Sequence, residues 1–238
     1  MANYVLTLTC DDRPGIVAAV ASCLAKHGGN IVEAQQFDDH ETGKFFMRVA
    51  FALESALDDF TAGLAEEKRR FGLTCFLRPT LQMRKVLILV SKFDHCMGDL
   101  LYRMRIGEMN MECVGIVSNH PKTSLNLTLQ ENIPFHDFPI TKETKPEQEA
   151  RIKTVVEETG AELVILARYM QILSDDLTEF LSGRCINIHH SFLPGFNGAK
   201  PYHQAHERGV KMIGATAHYV TADLDDRRCV GRDRWSST

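Results

Sequence analysis

The sequence predicts an α/β protein in two parts. A ferredoxin-like βαββαβ domain spans residues 1–80, and a doubly wound, mostly parallel α/β domain spans residues 84–226. Three observations predict it. Period-2 and helical patterns follow one another in the order βαββαβ before Pro79. Beyond the short linker 80–84, the unbroken β-rich runs Val86-Leu87-Ile88-Leu89-Val90 and Leu163-Val164-Ile165-Leu166-Ala167 have the pattern of strands buried on both faces. Helical segments separate these runs, as crossover helices do in a parallel sheet.

In the first part, Val5 to Cys10 alternates and is rich in β-formers, so it reads as a strand. Pro14 sits where a helix opens, and Ile16, Val17, Val20 and Leu24 repeat at helical spacing until Gly28-Gly29. Ile31 to Phe37 is expected as a second strand. Phe45, Met47, Val49 and Phe51 alternate with Phe46, Arg48 and Ala50 as a third. Ser55 and Asp58 resemble a capping box with Asp in place of Glu, ahead of the helix face Leu57, Phe60 and Leu64. Leu73 to Leu77 is the last short strand.

In the second part, the strand 86–90 leads through Ser91-Lys92-Phe93-Asp94 to a helix carrying Leu100, Leu101 and Met104. Met111 to Val117 is a strand, Leu125 to Leu129 is expected to be helical, and Ile133 to Phe138 is extended. Pro146 to Thr159 is a helix ended by Gly160, and the strand 163–167 follows. Ser174 caps a helix whose first turn holds Asp175 and Asp176, as the helix dipole favours. A further helix is expected from Pro201 to Gly209, and Met212 to Val220 is the last clear strand.

Composition narrows the function classes. The chain has 238 residues, 44% hydrophobic and 24% charged, ordinary for a globular protein. A net charge of −4 gives no general attraction to nucleic acid or anionic membrane. No apolar run approaches the ~20 residues of a membrane span, and the start lacks the pattern of a signal peptide. The odd cysteine count of seven, without Cys-x-x-Cys, reads as reduced thiols in a cytoplasmic protein.

The stretch Cys185-Ile186-Asn187-Ile188-His189-His190-Ser191-Phe192-Leu193-Pro194-Gly195 carries the chemistry. Residues 187 and 189 lie two apart, on the same side of a strand. An amide N–H stabilises negative charge developing on a carbonyl oxygen, and an imidazole moves a proton at neutral pH. The pair suits acyl-group chemistry, although an isolated Asn-x-His more often only satisfies a turn. Carboxyl ends of parallel strands are where such sheets bind ligands, and the end of the 212–220 strand is expected there too. Beyond it, the carboxylates of Thr221-Ala222-Asp223-Leu224-Asp225-Asp226 can orient an imidazole or a water. The histidines His189, His190, His203 and His206 match no recognised ligand motif, so no metal is expected. Ser191 and Cys185 lie in no known nucleophile setting.

Two resemblances sharpen this reading. Asp12-x-Pro14-Gly15-Ile16-Val17, with Gly28-Gly29-Asn30-Ile31, resembles ACT domains. That implies a small amino-acid effector near Asp12, Gly15 and Asn30, with glycine or methionine as candidates, and a homo-oligomer. Exposed N–H groups at a helix N-terminus suit a carboxylate. An assembly role through sheet edges alone is the other reading of this domain.

Leu166-Ala167-Arg168-Tyr169-Met170-Gln171-Ile172-Leu173, the 186–194 stretch and His218-Tyr219-Val220-Thr221-Ala222-Asp223-Leu224-Asp225 resemble the motifs of formyltetrahydrofolate-dependent formyltransferases. With an ACT domain in front, the resemblance is to the formyltetrahydrofolate deformylase family. It implies hydrolysis of 10-formyltetrahydrofolate to tetrahydrofolate and formate, which supplies purine biosynthesis and balances one-carbon pools. No prosthetic group is implied, since the folate is the substrate. Asn187, His189 and Asp225 take the catalytic positions, while Arg168, Met170, Gln171 and Leu173 line the pterin pocket, partly through backbone groups. Arg168 departs from the smaller residue or Lys usual there.

Transferases of this kind carry a Gly-rich loop for the acceptor's phosphate after the first strand. Here that place holds the bulky Lys92-Phe93-Asp94-His95-Cys96-Met97, which favours water as acceptor. A formyltransferase with another acceptor, and a catalytically inert amino-acid-responsive regulator, are the alternatives.

The match stops at Asp226. Residues 227–238 contain four arginines and the only Trp in place of an apolar pattern, so an irregular tail after an interrupted reading frame is expected.

Overall fold

The computed structural model describes residues 2–40, 42–126, 132–189, 207, 212–220 and 229–236; of residues 189, 212–216 and 229–236 it describes the backbone alone. The expected 201–209 helix therefore lies outside the described residues but for Glu207, as do Asp225, His190, Ser191, His203 and His206. The chain divides into two compact units, Met1–Gln82 and Met83–Thr238.

The first unit runs β1 (Ala2–Asp11), α1 (Ile16–Lys26), β2 (Gly29–Asp39), β3 (Lys44–Leu53), α2 (Leu57–Phe71) and β4 (Thr74–Pro79). Its antiparallel sheet has the order β2-β3-β1-β4. Alternation along the strands makes the core: Leu6, Leu8 and Cys10 of β1 and Phe45, Met47, Val49 and Phe51 of β3 are buried against Val20 and Leu24 of α1 and Phe60 and Leu64 of α2. Burial of each large apolar side chain is worth about 1.5–3 kcal/mol.

Two start signals differ from expectation. Pro14 lies before the helix, whose N-cap is Gly15 at φ 97°, a left-handed conformation that glycine adopts freely. The Ser55–Asp58 capping box does not form. The N-cap is Ala56, one residue later, and the Ser55 hydroxyl donates to the Ala56 carbonyl at 3.5 Å. Asp58 and Asp59 still face the positive end of the helix dipole. Helix packing also needs Gly63, because a Cβ there would stand 2.4 Å from His27 Cε1.

The second unit contains β5 (Arg84–Val90), α3 (His95–Arg105), β6 (Met111–Ser118), a 3-10 turn (Lys122–Ser124), β7 (Phe135–Asp137), α4 (Lys145–Thr159), β8 (Leu163–Leu166), α5 (Asp175–Phe180), β9 (Cys185–His189), β10 (Met212–Tyr219) and β11 (Cys229–Ser236). They form one sheet, ordered β11-β10-β9-β8-β5-β6-β7. The pairs β6–β7, β5–β6, β5–β8 and β8–β9 are parallel. Side-chain alternation splits β5 between two cores. Leu87 and Leu89 pack with Ile152 and Val156 of α4 and Leu177 of α5, whereas Val86, Ile88 and Val90 pack with Met97 and Leu100 of α3. Helices thus cover both faces, as the two-sided apolar runs require.

Three expectations are corrected in this unit. Leu125 is extended, at φ −84° and ψ 142°, so the helix expected from 125 does not start there; the next residue's N–H is held by the Asp94 carboxylate at 2.5 Å. Residues 127–129 lie outside the described residues. Strand β10 runs antiparallel to β9, with Thr216 opposite His189 and Tyr219 opposite Ile186. The carboxyl end of β10 is therefore not with the carboxyl ends of the parallel strands. Polar Thr216 and His218 alternating with Ala215 and Ala217 is the half-polar pattern of an outer antiparallel strand, unlike the all-apolar β8. Finally, Cys229–Ser236 is a strand, antiparallel to β10, where irregular chain was expected. Backbone pairing explains it: an edge strand's open N–H and C=O groups accept a neighbour whose side chains lack the usual alternation.

Candidate functional site

The order of the sheet places one crevice. From β5 the chain winds outward through β6 to β7, then returns through α4 to β8 on the other side of β5. In sheets of this kind the ligand crevice lies at the carboxyl ends of the strands where winding reverses, which here is between the segments leaving β5 and β8.

Ser91 leaves β5 and is buried. Its N–H donates to the Arg168 carbonyl at 3.3 Å. Its hydroxyl accepts from the Met170 N–H at 3.0 Å and donates to Asn119 Oδ1 at 2.7 Å. The two walls of the crevice are thus bonded together at their base. Arg168 has φ 59°, a left-handed conformation that costs a non-glycine residue roughly 1–2 kcal/mol. Its guanidinium carbon lies 5.2 Å from the centroid of the Phe93 ring, and its Nε is buried with no hydrogen-bond partner among the described residues. Such strain is characteristic of functional segments. Met170 is 57% exposed and Ile172 64% exposed, Gln171 is half-buried, and Leu173 packs back onto the core.

Parallel pairing sets Leu166 of β8 opposite Asn187 of β9, which places Asn187 and His189 on the strand beside the 167–173 segment. The Asn187 amide nitrogen lies 3.3 Å from His218 Nε2. His218 Nδ1 lies 3.0 Å from the Tyr219 carbonyl, which can only accept, so Nδ1 carries a proton. In the neutral ring Nε2 is then an acceptor and takes one Asn187 N–H. The amide is thereby held in one orientation, and its second N–H has no partner among the described residues. His218, buried on β10, was part of a recognised motif, yet its partnership with Asn187 was not read from the sequence. Antiparallel pairing of β9 with β10 is what brings them opposite one another. The structure gives the backbone of His189, and Asp225 lies outside the described residues.

Burial pushes the Cys185 thiol up to about 12. At neutral pH it is neither charged nor accessible, and so is no nucleophile. The neighbouring Tyr169 phenol is also pushed up to about 12, by burial against a smaller opposing effect of its Gln148 hydrogen bond.

In the first unit, Asp12 and Gly15 line a cleft of about 510 Å³ at the start of α1, together with Arg13 and with Gln36 and Asp38 of β2. The Arg13 guanidinium is tied to the Arg70 carbonyl and stacks 4.7 Å from the Phe71 ring centroid. Asn30 is not in this cleft. It pairs with Ala52, towards the opposite end of β2 from Asp38, which pairs with Phe45.

Comparison with known proteins is decisive. A formyl transferase family profile matches residues 84–233, and an ACT domain profile matches residues 4–58. The formyltetrahydrofolate deformylase of Corynebacterium sp. (strain P-1) is 52% identical, over 94% of this chain and 79% of its own length. The chain belongs to the formyltetrahydrofolate deformylase family. The Bacillus subtilis member is 40% identical, over 96% of this chain and 77% of its own length. A crystal structure of the Burkholderia mallei deformylase superposes with a TM-score of 0.90 at 47% identity, covering 100% of this chain and 84% of that one. The N-terminal unit is accordingly an ACT domain, and the second has the formyltransferase-like fold. Among the described residues no helix is long and apolar enough to cross a membrane.

Proposed function

We propose that this chain hydrolyses 10-formyltetrahydrofolate to tetrahydrofolate and formate, supplying formate to purine biosynthesis. The observation that carries the reading is the Asn187 amide, bonded to His218 Nε2 at 3.3 Å on the strand next to the crevice, in a chain of the deformylase family. Water attacks the formyl carbon, forming a C–O bond and a tetrahedral oxyanion. The Asn187 N–H not committed to His218 donates to that oxyanion. His189 takes the proton from water and passes it to N10 as the C–N10 bond breaks. Asp225 orients the water or the imidazole. The 168–173 segment, with Met170, Gln171 and Leu173, holds the pterin.

The reaction needs no prosthetic group. The ACT cleft at Asp12 and Gly15 binds a small amino acid, glycine or methionine, and the protein works as a cytoplasmic homo-oligomer. Support for the effector site comes from the cleft's position at the amino end of α1. Supplying 10-formyltetrahydrofolate alone and measuring free formate tests the hydrolysis. Formate release without any added acceptor is expected, and tetrahydrofolate formation only in the presence of a second acceptor would replace hydrolase by transferase.

A further inference from the structure

The crevice wall 169–174 has no regular secondary structure and exposes Met170 and Ile172 to solvent. Such a stretch should be loose, yet buried polar groups hold it at three points. Gln148 and Glu149, successive residues of α4, are both buried. Gln148 Nε2 donates to the Phe138 carbonyl and lies 3.0 Å from the Tyr169 hydroxyl, which in turn is 3.3 Å from Gln148 Oε1. Glu149 Oε1 accepts the Ser174 N–H at 3.0 Å, and its Oε2 accepts the Ser174 hydroxyl. Ser91, from the other wall, accepts the Met170 N–H at 3.0 Å. Burying a carboxylate and a carboxamide side by side is costly unless each is bonded; Gln148 also bonds the Phe138 carbonyl and Glu149 lies 3.7 Å from Lys145 Nζ, but the other bonds of both converge on one short segment.

We infer that Gln148, Glu149 and Ser91 are positioning residues that hold 169–174 rigid before substrate arrives, presenting Met170 and Ile172 as a fixed apolar rim for the flat heterocyclic ring of the folate. The inference rests on the proposed folate hydrolysis. Ordering the segment in advance removes its ordering cost from the binding step. The three residues touch no reacting atom, so their loss affects binding in ground and transition states alike and leaves turnover at saturation nearly unchanged.

The test compares the full chain with Glu149→Ala, Glu149→Gln and Ser91→Ala, by amide hydrogen exchange without ligand, calorimetric titration with tetrahydrofolate, and steady-state formate release. Glu149→Ala should speed exchange over 169–174 by about tenfold or more while the amides of β5 and β8 keep their protection. It should weaken tetrahydrofolate binding and raise KM by about tenfold, with kcat changed less than about twofold. Gln keeps an acceptor for the Ser174 N–H and should restore part of the loss. Ser91→Ala carries the same expectation from the opposite wall, whether or not Glu149→Ala folds. Unaltered tetrahydrofolate affinity in whichever of these variants fold would overturn the inference while leaving hydrolysis standing. An unmodified chain that binds no folate overturns the functional reading instead. Unchanged exchange over 169–174 in the variants refutes the clamp regardless of folate.

Discussion

Replacing His218 with Phe removes the acceptor for Asn187 and the donor to the Tyr219 carbonyl, and keeps most of the ring's volume. Its neighbour Asn187 then loses the partner at 3.3 Å that holds its amide in one orientation. Two magnitudes follow. Leaving a part-buried N–H unpaired costs at most about 1–3 kcal/mol of stability. On the proposed mechanism, deleting an oxyanion donor outright, as in Asn187→Ala, lowers kcat by about 10²–10³. His218→Phe leaves the donor in place but free to turn, so its loss should be a part of that, about tenfold or 1.4 kcal/mol. The decisive quantity is the coupling. Since His218 acts through Asn187, adding His218→Phe to Asn187→Ala should cost less than about twofold more. Formate release under saturating 10-formyltetrahydrofolate, measured for the four forms of the cycle, gives this directly, with chemical melts to confirm folding. Losses that multiply in full would mean that His218 contributes independently of Asn187, and the orientation argument would be wrong.

Arg168→Gly should relieve the left-handed backbone at φ 59° while losing the contact with Phe93, effects of about 1 kcal/mol each that nearly cancel in stability, whereas KM for the folate rises; a large loss in urea melts would contradict this. Gly63→Ala should destabilise the ACT domain despite alanine's helix preference of about 1 kcal/mol, because the new methyl group meets the His27 ring; a higher melting temperature would show that the ring moves aside at little cost. Alkaline pH should weaken the fold. Burial raises the Cys185 thiol and Tyr169 phenol to about 12 and the Cys113 thiol to about 11, so above pH 9 the unfolded chain loses these protons first. Stability then starts to fall near pH 9 and goes on falling until the folded-state groups ionise at about 11–12, and Tyr169→Phe should flatten the part of the decline above about pH 10 in urea melts read at successive pH values. In the ACT domain, Gly15→Val should abolish any glycine or methionine binding seen by calorimetry, since valine is strained at φ 97° and would crowd the cleft; unchanged binding would place the effector elsewhere.

The β-rich runs at Val86–Val90 and Leu163–Leu166 were legible because a strand buried on both faces leaves no polar position in the sequence. The Ser174 cap was equally legible, because its hydroxyl accepts from Leu177 N three residues on, a purely local bond. Strand direction was harder. Nothing local tells Met212–Tyr219 which way to run, and only its half-polar alternation hinted at an outer antiparallel place. Cys229–Ser236 was missed because its strand conformation comes from pairing with β10, not from its own residues. Asn187 and His189 stood out in the sequence through their spacing, whereas the bond between Asn187 and His218 depends on a cross-strand register. Gln148 and Glu149 were invisible for another reason: a buried polar residue on a helix is written with the same letters as a solvent-facing one, and only its partners at Tyr169 and Ser174 reveal the difference.

Because β5 lends alternate side chains to both cores, it is a shared wall and not a boundary. Loosening the helices on one face exposes the same strand that the other face depends on, so the two layers gain or lose order together. The amides of Val86–Val90 should therefore exchange only in whole-unit opening, slower than those of any helix packed on them. A crevice whose walls spring from this strand and its neighbour inherits a common, slow-breathing floor. Breathing at that mouth is left to the loop tips, while the spacing at its base is as durable as the fold itself.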